Sequence, residues 1–162
     1  NDPGRVGANN YWCSPGDSGG VHINSGIPNH AYALLVDGGS YNGYIVTGIG
    51  FTKAAHIFWR AQSQYLTPTS DFSVFADALE ASANDLLGIN LTGLSTDAPV
   101  GPSGEIITAA DITQLNNALL AVELRISFQS EAHRCHLATS FVRIRMSLMT
   151  LWVPLPVDSV FP

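Results

Sequence analysis

The sequence predicts a mainly α fold with about four amphipathic helices and one small β-hairpin. Three observations carry that prediction. Apolar residues recur at helical spacing in four separate stretches, capping residues or glycines bracket most of those stretches, and one Asn-Gly pair stands beside β-branched and aromatic residues. With 46% hydrophobic and 12% charged residues, the 162-residue chain can bury a core of its own. A disordered chain is more polar than this.

Residues 1–26 are rich in Gly, Asn, Ser and Pro, with Gly16, Gly19 and Gly20 close together, and read as a structured loop rather than a helix. His22 falls at the end of that loop. From Ile27 the residues Ile27, Ala31, Leu34 and Leu35 share a helical face, with Ser25 as N-cap, Pro28 tolerated in the first turn and Gly38-Gly39 as the stop. Asn42-Gly43, next to Tyr44, Ile45 and Val46, predicts a short hairpin between Ser40 and Gly50. Thr52 is the expected cap of a second helix with Ala54, Ile57, Phe58, Ala61 and Tyr65 on one face, ending before Pro68.

A third helix is expected after Ser70, where Phe72, Phe75, Ala76, Leu79, Ala83 and Leu86 line up and Gly88 stops the run. Asn90 to Ile107 holds Gly93, Pro99, Gly101, Pro102 and Gly104 and reads as an irregular connection. Thr108 with Asp111 forms a capping-box pattern before a fourth helix carrying Ile112, Leu115, Leu119 and Val122. Four such faces imply a bundled or orthogonal helical domain. After Arg125 the character changes, because residues 126–162 show no sustained period and carry His133, Arg134, Cys135, His136, Arg143 and Arg145. The chain therefore divides into a helical domain over 1–125, with its loop at 1–26, and an atypical tail over 126–162.

Charge narrows the function classes. Residues 1–125 hold eleven acids against four bases, whereas residues 126–162 hold two acids against three arginines. An acidic body without a basic stripe argues against a nucleic-acid partner, since that binding draws on Lys and Arg neutralising phosphates. The apolar stretch from Leu137 to Val157 is interrupted by Arg143 and Arg145, so no membrane span is expected. Cys13 and Cys135 are compatible with one disulfide in an exported protein or with two reduced thiols. The abrupt start at Asn1-Asp2-Pro3, without a leader pattern, reads as a piece of something longer.

The run Gly16-Asp17-Ser18-Gly19-Gly20-Val21-His22-Ile23-Asn24-Ser25-Gly26 closely resembles the second-domain histidine signature of thermolysin-like (vibriolysin/bacillolysin-type) zinc neutral metallopeptidases. Gly48-Ile49-Gly50, the stretch from Ala55 to Tyr65, and Tyr65-Leu66-Thr67-Pro68-Thr69-Ser70-Asp71-Phe72 resemble the same family in the same order. The resemblance covers roughly residues 2–125 and implies the helical C-terminal domain of the thermolysin-like fold.

What the resemblance implies is a secreted zinc endopeptidase that hydrolyses peptide bonds through a zinc-polarised water, with a glutamate of a His-Glu-x-x-His helix as base. No His-Glu-x-x-His occurs in these 162 residues. The resemblance therefore gives this chain no zinc ligand and no base, makes an N-terminal zinc-binding domain its partner, and places zinc, and calcium where present, in that other domain. Two residues carry over. His22 matches the histidine that donates a hydrogen bond to the tetrahedral oxyanion, and Asp17 matches the aspartate that orients its ring. The family's arginine just upstream of the Asp-Pro pair would precede Asn1, and Arg5 does not match it.

Blander readings stand beside these. A lone histidine near a Gly-rich loop is commonly a surface or capping residue, and Asp before small residues commonly closes a turn on its own backbone. His30 and His56 lie on expected helices and read as packing or solvent-facing residues. His133, Cys135 and His136 are ligand types, but no second cluster completes four ligands. Asn90-Leu91-Thr92 is formally a glycosylation acceptor. Asp97, Glu105 and Asp111 lack the spacing of a calcium loop and read as solvated acids. The runner-up function is a non-catalytic helical binding module, and the blandest is a nonfunctional fragment.

Overall fold

The computed structural model describes residues 2–95 and 100–125. Their elements run α1 (Gly16–Asn24), α2 (Gly26–Asp37), β1 (Gly39–Tyr41), β2 (Tyr44–Val46), α3 (Phe51–Arg60), α4 (Phe72–Asp85), β3 (Asn90–Thr92), β4 (Pro102–Ile106) and α5 (Ala109–Ala121). A single π turn, Ala61–Tyr65, continues α3. The mainly α expectation holds, and α2 to α5 are the four helices that apolar spacing predicts. Tail residues 126–162 lie outside the described residues, as do Asp97, His133, Cys135 and His136.

The faces predicted from spacing are the faces that are buried. Ile27 and Leu35 of α2, Ile57 of α3, Phe75 and Leu79 of α4, and Leu115 and Leu119 of α5 are nearly inaccessible. Packing joins α5 to α2 and β2, and α3 to α4. Through the middle runs an aromatic chain in which Tyr32 meets Phe58 edge-on at 4.9 Å and Phe58 meets Phe75 at 5.7 Å. Edge-to-face contact at these separations adds to plain area burial. Tyr65, expected on the buried face of α3, is instead half-exposed because the π turn rotates it outward to bond Asp85.

Several local expectations need correcting. Thr52 does not cap α3; Gly50 occupies that place, and no side chain caps the helix. Ser25 holds the N-cap position of α2 as expected, but it does not cap with its side chain, since it has helical angles and its hydroxyl donates to the carbonyl of His22. The chain is therefore already helical before Ile27. Asp71 caps α4 by accepting from the Val74 N–H at 2.8 Å. The capping box at Thr108 and Asp111 forms as expected.

Asp111 is not a solvated acid. It is buried, and although burial raises its pKa, hydrogen bonds from Thr108 and the neighbouring Lys53 ammonium, 3.0 Å away, leave it below the ordinary value. Glu105 approaches the same ammonium at 3.8 Å.

The first hairpin is as predicted, with Ser40 opposite Ile45 and positive φ at both Asn42 and Gly43, the pairing a tight two-residue turn demands. A second hairpin was not expected. Here β3 and β4 pair antiparallel with a register shift, Gly93 N–H donates to the Gly101 carbonyl, and the Ser103 hydroxyl donates to the Leu91 carbonyl. Every residue of β4 is exposed, so no apolar alternation marks it in the sequence.

Phe75→Ala should cost about 3–5 kcal/mol of unfolding free energy, the usual range for emptying a fully buried aromatic site. Its neighbour Val74 is 43% exposed, and Val74→Ala should fall within about 0.5 kcal/mol of the parent. Urea melts of the two variants check the assignment of this helix face.

Candidate functional site

The site is built on a reversal of helical hand. Asp17, Ser18, Gly19 and Gly20 all take left-handed angles, with φ of 53°, 51°, 87° and 86°. Gly20 is followed by a right-handed turn from Val21 to Asn24 that carries His22 and leads into α2. The expectation of a loop over residues 1–26 is thus half right: Gly16–Asn24 is helical in shape, but its first half has the wrong hand for L-residues. Glycine meets that demand without strain, and Asp is among the few others that visit it.

Reversing the hand folds the Asp17 side chain back over the following turn. Its Oδ2 accepts the backbone N–H of His22 at 3.0 Å and of Ile23 at 3.3 Å, so the carboxylate serves as the cap of the right-handed turn. Its Oδ1 lies 2.5 Å from His22 Nδ1. These bonds hold the carboxyl below its ordinary pKa, the His22 side chain contributing most, partly opposed by burial. At neutral pH Asp17 is therefore an anion accepting from Nδ1–H, which leaves Nε2 as the outward nitrogen. The His22 side chain is 73% exposed while that of Asp17 is 22% exposed. The pair thus presents an imidazole whose inner nitrogen is fixed and whose outer nitrogen faces solvent.

Around the pair stand residues that sequence reading passed over. The Trp12 indole N–H donates to the Gly16 carbonyl at 3.0 Å, and the buried Asn24 side chain bonds the Trp12 backbone. A buried asparagine was the available signal, but burial is not legible without the fold.

The other candidates separate from this site. His30 Nδ1 bonds the Gly4 carbonyl and stacks edge-on to Tyr41, and His56 Nε2 bonds the Thr92 carbonyl, so both serve packing between elements. Burial lowers the pKa of His56. Arg5 pairs with Glu123 at 2.6 Å, far along the chain from Asp17. Cys13 is not a free thiol. Asn90 lies exposed on β3, where its side chain accepts the Gly104 N–H. Among the described residues no three His, Cys, Asp or Glu side chains converge as metal ligands, and no helix is long and apolar enough to cross a membrane.

A small helical domain that carries one exposed histidine oriented by a carboxylate is the class these features define. Residues 2–95 match the family described as "Thermolysin metallopeptidase, alpha-helical domain", and the chain belongs to that family. Among its relatives, a bacillolysin of Brevibacillus brevis is 51% identical over 74 residues, covering 46% of this chain and 14% of the relative. A zinc metalloproteinase of Renibacterium salmoninarum is 38% identical over 109 residues, 67% of this chain and 17% of the relative. A thermolysin of Alicyclobacillus acidocaldarius is 54% identical over 72 residues, 44% of this chain and 13% of the relative. The chain thus matches less than a fifth of the length of each.

Because the folded pKa of Asp17 is depressed, its contribution to stability is complete above the unfolded value near 3.8 and is lost as pH falls through the lower folded value. Carboxyl-carbon NMR should accordingly place the Asp17 midpoint below 3.8. Asp17→Asn should flatten this part of the acid limb. A midpoint at or above the ordinary value would mean that the Asp17–His22 bond does not persist in solution.

Proposed function

We propose that this chain is the C-terminal, helical half of a secreted zinc metalloendopeptidase, with residues 1–125 as the helical domain and His22 as the donor to the tetrahedral oxyanion. The observation that carries the reading is the Asp17–His22 contact at 2.5 Å beneath an imidazole that remains open to solvent. A ring held at Nδ1 can aim only Nε2 at a substrate. Donating from Nε2 while Nδ1–H stays on Asp17 calls for the doubly protonated ring, a cation suited to developing negative charge.

Membership in a family whose relatives are named zinc metalloproteinase, thermolysin and bacillolysin supports zinc as the cofactor of the intact enzyme. The described residues do not fit a zinc site, since no three ligand side chains converge. Its ligands and the general base would belong to an N-terminal zinc domain, and peptide or protein substrate would bind between that domain and the His22 turn. What this chain does in the reaction is electrostatic: it holds a hydrogen-bond donor at fixed orientation before the charge forms, so little reorganisation is needed when it does.

In the protein joined to its zinc domain, His22→Ala should lower kcat roughly a hundredfold or more, the scale of a lost oxyanion donor, with a much smaller change in KM. Asp17→Asn should cost less, because the ring remains but its orientation is lost. Steady-state hydrolysis of a peptide substrate measures both, and an unchanged kcat in His22→Ala would remove that residue from the reaction. The 162-residue chain by itself should cleave no casein.

A further inference from the structure

We propose that Asn24 is a positioning residue for His22, gripping the backbone of Trp12 and so fixing the left-handed turn in the register that sets the Asp17 carboxylate against the imidazole. The inference rests on the reading of His22 given above, and it concerns how that histidine is held.

Asn24 is 1% exposed and lies on the same right-handed turn as His22. Its side-chain amide makes two reciprocal bonds to one residue: the Trp12 N–H donates to Oδ1 at 2.9 Å, and Nδ2 donates to the Trp12 carbonyl at 3.0 Å. The partners fix the amide's orientation, since a backbone N–H can only donate and a carbonyl can only accept. Asn24 thereby completes the hydrogen bonding of a buried-side backbone segment that no strand or helix supplies.

Trp12 in turn touches both ends of the left-handed turn. At the near end its indole N–H donates to the carbonyl of Gly16, the residue before Asp17. At the far end its ring and Cβ pack on Gly20, where an added Cβ would lie 2.6 Å from Trp12 Cδ1, 2.9 Å from Trp12 Cβ and 2.8 Å from Asn24 Nδ2. Trp12, Gly20 and Asn24 therefore occupy one closed volume, and Gly16 and Gly20 are both tied to Trp12. The three residues between those glycine anchors, Asp17, Ser18 and Gly19, all take left-handed angles and lie outside regular right-handed helix geometry. Their register is set by this grip, and Asp17 reaches His22 only in that register. Hydrogen bonds weaken steeply with lost alignment, so a small slip of the turn separates the carboxylate from Nδ1.

The test reads the imidazole directly in the 162-residue chain, by ring-nitrogen NMR of His22 and carboxyl-carbon titration of Asp17. The parent should show the proton on Nδ1. Asn24→Ala should move the tautomer toward Nε2–H and shift the Asp17 midpoint up toward the ordinary carboxylate value, in a chain that still melts cooperatively. Trp12→Phe, which removes the indole donor and trims the ring system but keeps an aromatic side chain and the backbone bonds to Asn24, should move both signals the same way by less. If Asn24→Ala does not fold, Trp12→Phe decides alone. Signals that match the parent in the folded variants overturn the proposal. In the protein joined to its zinc domain, Asn24→Ala should lower kcat about tenfold, on the scale seen for partners that orient functional imidazoles, and leave KM within about twofold. Should His22→Ala leave kcat intact while Asn24→Ala still shifts the ring, the oxyanion reading fails and the positioning role stands.

Discussion

The C-terminal end of α5 holds the start of the chain, and the remaining architecture depends on that closure. The Val122 carbonyl accepts the Val6 N–H, Glu123 accepts the Gly7 N–H and pairs with Arg5, and Asn42 of the first hairpin donates to the Ala121 carbonyl and to Glu123. Three segments far apart in sequence thus meet at one helix end, where carbonyls without helical partners need donors. Glu123 takes a left-handed φ of 60° to make this arrangement, a conformation unusual for a residue with a long side chain. From Val6 the chain has only a few residues to reach Trp12, so closing the fold at α5 also delivers the loop that carries the site.

The helices were legible because each buries a single stripe. In α4, Phe72, Phe75, Ala76, Leu79 and Ala83 are all buried, as is Leu86 at its C-cap, and each was identifiable from spacing alone. The first hairpin was legible for a different reason: Asn42-Gly43 is one of the few pairs that tolerate two positive φ values in succession. What was not legible lacked either signal. Strand β4 exposes all five residues, so its pairing with β3 depends on backbone hydrogen bonds and on bonds made by the Ser103 and Asn90 side chains, which leave no apolar pattern. The cap of α3 slipped by two residues, because Gly50 rather than the hydroxyl of Thr52 begins the helix.

For the site, residue type and context pointed to Asp17 and His22, and the folded chain brings them together at 2.5 Å. Spacing gave no warning of how that happens. Five residues apart on a continuous right-handed helix, the two would not face each other, because neighbours on a helix surface lie three or four apart. The left-handed run between them removes that difficulty. It rotates Asp17 out of helical phase and brings its carboxylate over the N-terminus of the next turn, where unpaired N–H groups attract an anion.

Left-handed geometry costs roughly 1–2 kcal/mol for each residue bearing a Cβ, so a chain does not adopt it over four residues without compensation. Here two of the four are glycine, and Asp17 accepts three hydrogen bonds that the strained conformation alone makes available. The same bonds that offset the strain also define the chemistry of the histidine, since one carboxylate both caps the turn and fixes the imidazole. Stability of the turn and orientation of the ring are therefore one property, which is why a buried asparagine that never touches the imidazole is expected to govern where its proton sits.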